Sequence, residues 1–205
     1  MRTFLLHSCL LLMFTVAALA QAPSNNSPAT PSQTPPPAAA PAPQAPATVP
    51  SVMDRGLSGV EREFVSAAEA MPEDKYGFAP TTGEFKGVRT FAQQVKHVAA
   101  VNYMIFAAML GEKAPDTGGE NGPDALKSKA EIVKYLKESF ILGHRAMAAM
   151  NADNLVEPVA NPFGPRPATR LALGNSIIGH CFDHYGQMVV YLRMNGIVPP
   201  ASRGQ

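Results

Sequence analysis

The sequence predicts an all-α protein, a four-helix bundle preceded by a signal peptide and a disordered Pro/Ala-rich spacer. After Met53, apolar residues recur at helical spacing in four segments, and three of these open on a Ser/Thr-x-x-Glu/Gln capping box. No segment there alternates apolar and polar residues over the length of a strand. Residues 53–205 suffice for one hydrophobic core but are too few for two.

Residues 1–20 have the features of a secretory signal peptide. Arg2 provides the positive start, the stretch up to Val16 is mostly apolar, and Ala18 and Ala20 are the small residues that signal peptidase recognises. We therefore expect cleavage after Ala20 and export, with a periplasmic or secreted product. An uncleaved anchor is the alternative, although the apolar run is shorter than the roughly 20 residues of a spanning helix.

Residues 21–52 form the predicted spacer. Ten of the chain's 20 prolines and eight alanines lie between residues 21 and 50, and no charged residue occurs between Gln21 and Asp54. Such a stretch buries too little apolar surface to offset the entropy of ordering it, so we expect an extended, disordered linker. A proline-rich ligand for a partner domain is the alternative. The folded domain then covers residues 53–205.

The four helices of this domain follow in order. Their predicted ranges are about 58–71, 90–110, 128–150 and 168–194. The first three begin at capping boxes that open on Ser58, Thr90 and Ser128. Pro72 follows the first helix and Gly111 the second, and both residue types end helices.

Charge and cysteine content limit the partners. The formal net charge is +1 without a cluster of Lys or Arg, which argues against nucleic acid. Cys9 lies in the predicted leader, so the mature chain would carry Cys181 alone and could form no internal disulfide.

Three histidines lie on the apolar faces of predicted helices. His180 and His184 are four residues apart on the fourth helix, a spacing from which two imidazoles can bind one metal ion. His97 lies on the apolar face of the second helix. Because unpaired buried imidazoles lose hydration energy, a shared ion would explain all three. Core histidines satisfied by hydrogen bonds are equally compatible with the spacing.

Five further residues carry alternative interpretations. His144, near the apolar face of the third helix, could be a fourth ligand, a partner of a ligand or a core histidine bonded to a carbonyl. Cys181 could be a thiolate ligand or a small buried hydrophobe. Gln187 and Tyr191 continue the stripe of His184 and could orient a substrate or pack in the core. Asp183 and His144 are the available general bases, and no catalytic residue is assigned. The metalloprotease motif His-Glu-x-x-His is absent.

Longer stretches of sequence resemble the DinB-like (YfiT-type) family. They are TFAQQVKHVAAVNYMIFAA (90–108) and HCFDHYGQMVVYLRMNGIVPPAS (180–202), and shorter stretches at 71–85, 128–140 and 167–180 extend the likeness over nearly the whole domain. The resemblance implies a four-helix bundle with up-down-down-up connections. It also implies a divalent metal ion, often zinc or nickel, bound by three histidines, which by position are His97, His180 and His184.

The resemblance leaves the activity open. Some relatives are thiol-dependent S-transferases or isomerases, others have been proposed as metal-dependent hydrolases, and related bundles often form homodimers. The thiol enzymes work in the cytoplasm, whereas the leader here predicts export. We expect an exported metal-binding protein, a hydrolase or transferase of unknown small-molecule substrate, with a non-catalytic metal-binding or structural bundle as the alternative.

Overall fold

Four α-helices form the domain in the computed structural model, which describes residues 46–204. They are α1 (Val49–Ala70), α2 (Phe91–Leu110), α3 (Lys129–Ala148) and α4 (Arg170–Met194). The predicted leader (1–20) and residues 21–45 of the predicted spacer lie outside the described residues. Within residues 46–204, no helix combines the length and apolar character needed to cross a membrane.

The starts of α2 and α3 are the predicted ones. The Thr90 hydroxyl accepts a hydrogen bond from the backbone N–H of Gln93, and Ser128 does the same for Glu131. In both boxes the third residue of the helix bonds back to the cap. Gly111, in the left-handed conformation at φ 70°, ends α2. These boxes confirm the predicted boundaries because capping chemistry is local.

The start of α1 differs from the prediction. Its cap is Thr48, whose hydroxyl accepts from the N–H of Ser51, while the Ser51 hydroxyl accepts from the N–H of Thr48. The prediction of a cap at Ser58 is wrong, since Ser58 lies inside the helix and donates to the carbonyl of Asp54. The first turn of α1 therefore takes in the last residues of the stretch assigned to the spacer.

A short strand pair precedes α4. β1 (Pro158–Val159) and β2 (Ala168–Thr169) pair antiparallel, and α4 begins directly after β2. A strand of two residues is too short to show alternation, so the sequence pattern could not predict this pair.

Contacts between helix ends fix the direction of each helix. Three are decisive: Lys129 Nζ donates to the carbonyl of Met71, Tyr191 Oη to the carbonyl of Arg89, and Arg145 to the carboxylate of Glu112. The start of α3 thus lies at the end of α1, the end of α4 lies at the start of α2, and α2 and α3 end together. The helices run up, down, down and up, as the resemblance implied.

The helices pack so that α1 and α2 each contact both α3 and α4. The apolar face of α1 is fully buried, as is Met71 directly after it; its members are Leu57, Val60, Phe64, Ala67 and Ala68. Gly143 on α3 allows close packing, since a Cβ there would lie 2.6 Å from the ring of Phe106. Between α2 and α4, the polar residues Gln94, His97 and His184 enter the core.

Candidate metal centre

Three histidines meet between α2 and α4. His97 comes from α2, and His180 and His184 come from successive turns of α4. Their ring centroids are 4.5–5.1 Å apart, and one potential ligand atom of each lies within 4.8 Å of the others. The structure therefore brings together the three histidines that the sequence grouped.

The three imidazoles are neutral at pH 7. Burial lowers the pKa of each, and neighbouring imidazoles lower it further for His180 and His184, to about 4 for both. Within residues 46–204, no carboxylate forms an ion pair with any of them. Neutral imidazole is the form that binds a metal ion, so the cluster needs no proton release to do so.

Hydrogen bonds fix the tautomer of two of these rings. Nδ1 of His97 lies 2.6 Å from the backbone carbonyl of Glu120, which can only accept, so Nδ1 carries the proton. Nδ1 of His184 lies 2.7 Å from Oε1 of Gln94, which imposes the same tautomer. Nδ1 of His180 is buried and has no hydrogen-bond partner among the described residues. His97 and His184 thus present a lone pair on Nε2.

The spacing of these nitrogens fits a shared ion. Nε2 of His97 lies 3.2 Å from Nε2 of His180. Two nitrogens that bind one tetrahedral zinc ion at about 2.0–2.1 Å stand about 3.3 Å from each other. Imidazole is a ligand of both zinc and nickel. The three histidines could therefore hold one divalent ion.

A glycine-rich turn carries the Glu120 carbonyl to His97. Gly118 and Gly122 flank a single turn of 3₁₀-helix and have φ 64° and 74°. A Cβ at Gly122 would lie 2.8 Å from Cβ of Lys96, the residue before His97. Only glycine permits this approach in this conformation. The loop residues 111–127 thus contribute to the site.

A cavity of about 330 Å³ adjoins the three imidazoles. Its other lining residues are Arg89, Val101, Ile105, Glu120, Phe163, Ser176 and Ile177. The volume is that of a small-molecule pocket, and its lining combines apolar residues with two charged residues, Arg89 and Glu120. Nε of Arg89 is buried without a hydrogen-bond partner among the described residues, where no carboxylate pairs with this guanidinium.

His144 does not belong to this site. Its Nδ1 lies 2.6 Å from Asp54 and its Nε2 lies 2.8 Å from Glu61, both carboxylates of α1. All three interpretations of His144 are corrected: it binds neither the triad nor a carbonyl, because α3 presents it to α1. Asp54 and Glu61 are seven residues apart, two turns along one helix, and that spacing was the available indication.

Of the two interpretations given for Cys181, Gln187 and Tyr191, the structure favours the structural one in each case. Cys181 is fully buried, donates to Asn102 Oδ1 and has its pKa raised by burial to about 12, so it is a thiol that packs in the core. Tyr191 donates to the carbonyl of Arg89, and Gln187 bonds to Gln94. Neither lines the cavity beside the histidines.

The sequence analysis did not predict the two charged residues of the cavity, and it named two other residues as candidate general bases. Asp183 and His144 were the candidate general bases, but neither lines the cavity. Arg89 and Glu120 do line it. Glu120 is distant in sequence from all three histidines, and no local pattern indicated its place. Arg89 stands directly before the cap of α2, two turns ahead of His97, and that register was the only indication.

Comparison with known proteins gives related folds and one family. The chain is similar to a DinB-like protein from Bacillus cereus ATCC 10987, with 16% identity, a TM-score of 0.60, and coverage of 72% of this chain and 93% of that one. A conserved protein from Enterococcus faecalis gives 16% identity, a TM-score of 0.58 and coverage of 72% and 97%. A DinB-like protein from Bacillus subtilis gives 16%, 0.53, 71% and 92%.

A search of curated proteins returns no match. The model of the DinB superfamily matches residues 57–188, which run from α1 into α4 and include all three histidines. Since that match covers more than half of the sequence, the chain belongs to the DinB superfamily.

Proposed function

We propose that this protein binds one divalent metal ion, zinc or nickel, through Nε2 of His97, His180 and His184. The observation that carries the proposal is the convergence of three neutral imidazoles from two helices, none of which forms an ion pair with a carboxylate of residues 46–204. Two of these rings have Nδ1 bound to an acceptor, which leaves Nε2 free for an ion.

We further propose that the bound ion is catalytic and that the protein is a metal-dependent hydrolase or transferase of a small molecule. Three protein ligands leave a coordination position for water or substrate, as in catalytic rather than closed structural sites. The cavity beside the imidazoles supports this choice. When bound, the ion would lower the pKa of a coordinated water or thiol and supply a nucleophile at neutral pH.

The residues of the cavity would orient the substrate and accept the proton. Arg89 lines the cavity and pairs with no carboxylate of residues 46–204, so it would bind an anionic or carbonyl oxygen of the substrate. Glu120 is the acidic residue among the described residues of the lining, and its carboxylate would act as general base. Val101, Ile105 and Ile177 form an apolar wall that would hold the hydrocarbon part and exclude water.

Metal analysis of natively purified protein tests the binding step. We expect about one zinc or nickel ion per chain, lost when His97, His180 and His184 are all replaced by Ala. Unchanged metal content in that triple variant would overturn the proposal.

Turnover assays test the catalytic step. Metal-loaded protein is assayed on esters, amides and thiol-transfer substrates, with Glu120→Gln as the variant that keeps the metal ligands. We expect activity that chelation abolishes, that one metal restores and that Glu120→Gln lowers by about 10²-fold or more. A gain in stability on metal binding without turnover on any substrate would assign the ion a structural role.

We also propose that the protein is exported, because residues 1–20 have the composition of a signal peptide. N-terminal sequencing of the protein from its native host is expected to begin at Gln21. A chain that retains Met1 would overturn cleavage and favour the anchor.

A further inference from the structure

We propose that Asp183, an exposed carboxylate outside the cavity, is a positioning residue that sets the tautomer of His184 through the side chains of Gln187 and Gln94. The inference deepens the proposed metal binding and rests on it for its functional meaning.

A continuous chain of hydrogen bonds joins Asp183 to His184. Asp183 Oδ2 accepts from Nε2 of Gln187 at 3.0 Å, and Oε1 of Gln187 accepts from Nε2 of Gln94 at 2.8 Å. Oε1 of Gln94 then accepts from Nδ1 of His184 at 2.7 Å. The chain leaves α4 at its exposed side, crosses to α2 and returns to α4 at the buried histidine.

The carboxylate of Asp183, at the exposed end of the chain, determines the donor and acceptor in each of its hydrogen bonds. A carboxylate only accepts, so Gln187 must present its NH₂ group to Asp183 and its oxygen to Gln94. Gln94 must then present its own NH₂ group to Gln187 and its oxygen to His184. Nδ1 of His184 must therefore carry the ring proton, and Nε2 keeps the lone pair that a metal ion needs.

Without a fixed end, two glutamines could point either way. If both amides turned over, the NH₂ group of Gln94 would donate to Nδ1 of His184 and the ring proton would move to Nε2, where it blocks a metal. Gln94 is 2% exposed and His184 is 7% exposed, so water is excluded as a substitute partner. The tautomer of His97 does not depend on such a hydrogen-bond chain, because its partner is a backbone carbonyl, which can only accept.

Asp183→Lys tests the direction, because an ammonium only donates. In the metal-free protein, ¹⁵N shifts of His184 are expected to change from the Nδ1–H to the Nε2–H pattern. The zinc Kd is expected to rise about 10–100-fold, the range for lost partners of metal ligands. Asp183→Asn removes the charge, and its amide can either accept or donate, so a mixture of the two tautomers and an affinity between those of wild type and Asp183→Lys are expected. Asp153→Lys makes the same charge change at an exposed position after α3 and controls for net charge.

A second pair of variants interrupts the chain at its middle. Gln187→Glu still accepts from Gln94 and should keep the Nδ1–H tautomer, whereas Gln187→Lys only donates and should reverse it. The proposal is overturned if His184 keeps one tautomer in all four variants, or if Asp183→Asn loses as much affinity as Asp183→Lys. If the tautomers change as expected but the wild type binds no metal, the positioning role stands and the proposed function fails.

Discussion

Two groups of histidines in this bundle show how surroundings decide what an imidazole does. At the α1–α3 interface, burial alone would lower the pKa of His144, but hydrogen bonds to Glu61 and Asp54 outweigh it and raise the pKa. At the α2–α4 interface, His97, His180 and His184 hydrogen-bond to no carboxylate of residues 46–204, and burial lowers the pKa of all three. The first group is an ion pair between helices, and the second is a set of neutral ligands.

The comparison teaches that a histidine on an apolar helical face is not by itself a metal ligand. Both nitrogens of His144 are occupied by carboxylates, so no lone pair remains. In His97 and His184, Nδ1 is bound to an acceptor and Nε2 keeps a lone pair that faces the other imidazoles. The availability of Nε2 separates the two groups.

The largest expected effect comes from removing one histidine of each group. His184→Ala should weaken zinc binding by more than about 100-fold, because a ligand is lost. His144→Ala should leave the zinc Kd within about 3-fold and lower only the stability. Competition with a chromogenic chelator measures the zinc Kd of both variants. An equal loss of zinc affinity in the two would contradict the distinction between the two groups.

Lowering the pH should destabilise the metal-free protein through the buried imidazoles of the triad. His184 binds no proton in the folded state until about pH 4, whereas in the unfolded chain it does so near pH 6.5. The unfolded state therefore gains protons first, and stability falls as pH drops through this window. Between pH 6.5 and 4, the free energy of unfolding of His184→Gln should fall by less than that of the wild type. The difference should be on the order of 2 kcal/mol. Urea unfolding at both pH values measures it, and identical losses in variant and wild type would contradict the assignment.

A substitution in the glycine-rich turn should have a smaller effect on zinc binding by the histidine triad. Gly122→Ala should weaken zinc binding by roughly 10-fold, because a Cβ would meet Lys96 at 2.8 Å and push the Glu120 carbonyl off His97. Gly119→Ala is the matched control, since its φ is 72° but its Cβ would meet nothing within 4 Å. Both variants carry similar backbone strain, so zinc titration of the pair isolates the contact. Equal losses would show that strain alone acts.

The histidine triad was predictable from sequence because it depends on local periodicity. His180 and His184 share a helical face at any tertiary arrangement, and the apolar register of α2 places His97 toward the core. Helix caps at Thr90 and Ser128 were predictable for the same reason. All of this information lies within one turn or one helix.

The rest depends on contacts that no local pattern encodes. Glu120 reaches the cavity because a glycine-rich turn docks on α2, and Asp183 reaches His184 only through a side chain of another helix. His144 has the same kind of position as the triad on its own helix. It was misinterpreted because the helix opposite it, rather than its own spacing, decides its partners.

The smallest effect is the pH response of His144, and its sign is opposite to that of the triad. Its folded pKa is raised above the unfolded value of about 6.5, so its contribution is fully present below pH 6.5 and is lost as pH rises through the folded pKa. The ion pair is partly exposed, so we expect no more than about 1 kcal/mol. His144→Gln should therefore destabilise the protein at pH 6 and become nearly neutral at pH 9, measured by urea unfolding of metal-free protein. Asp54→Asn should show the same trend with a smaller amplitude, because Glu61 remains. A difference between wild type and His144→Gln that grows with pH would mean that His144 is neutral in the fold, and the two groups of histidines would then differ in partners but not in charge.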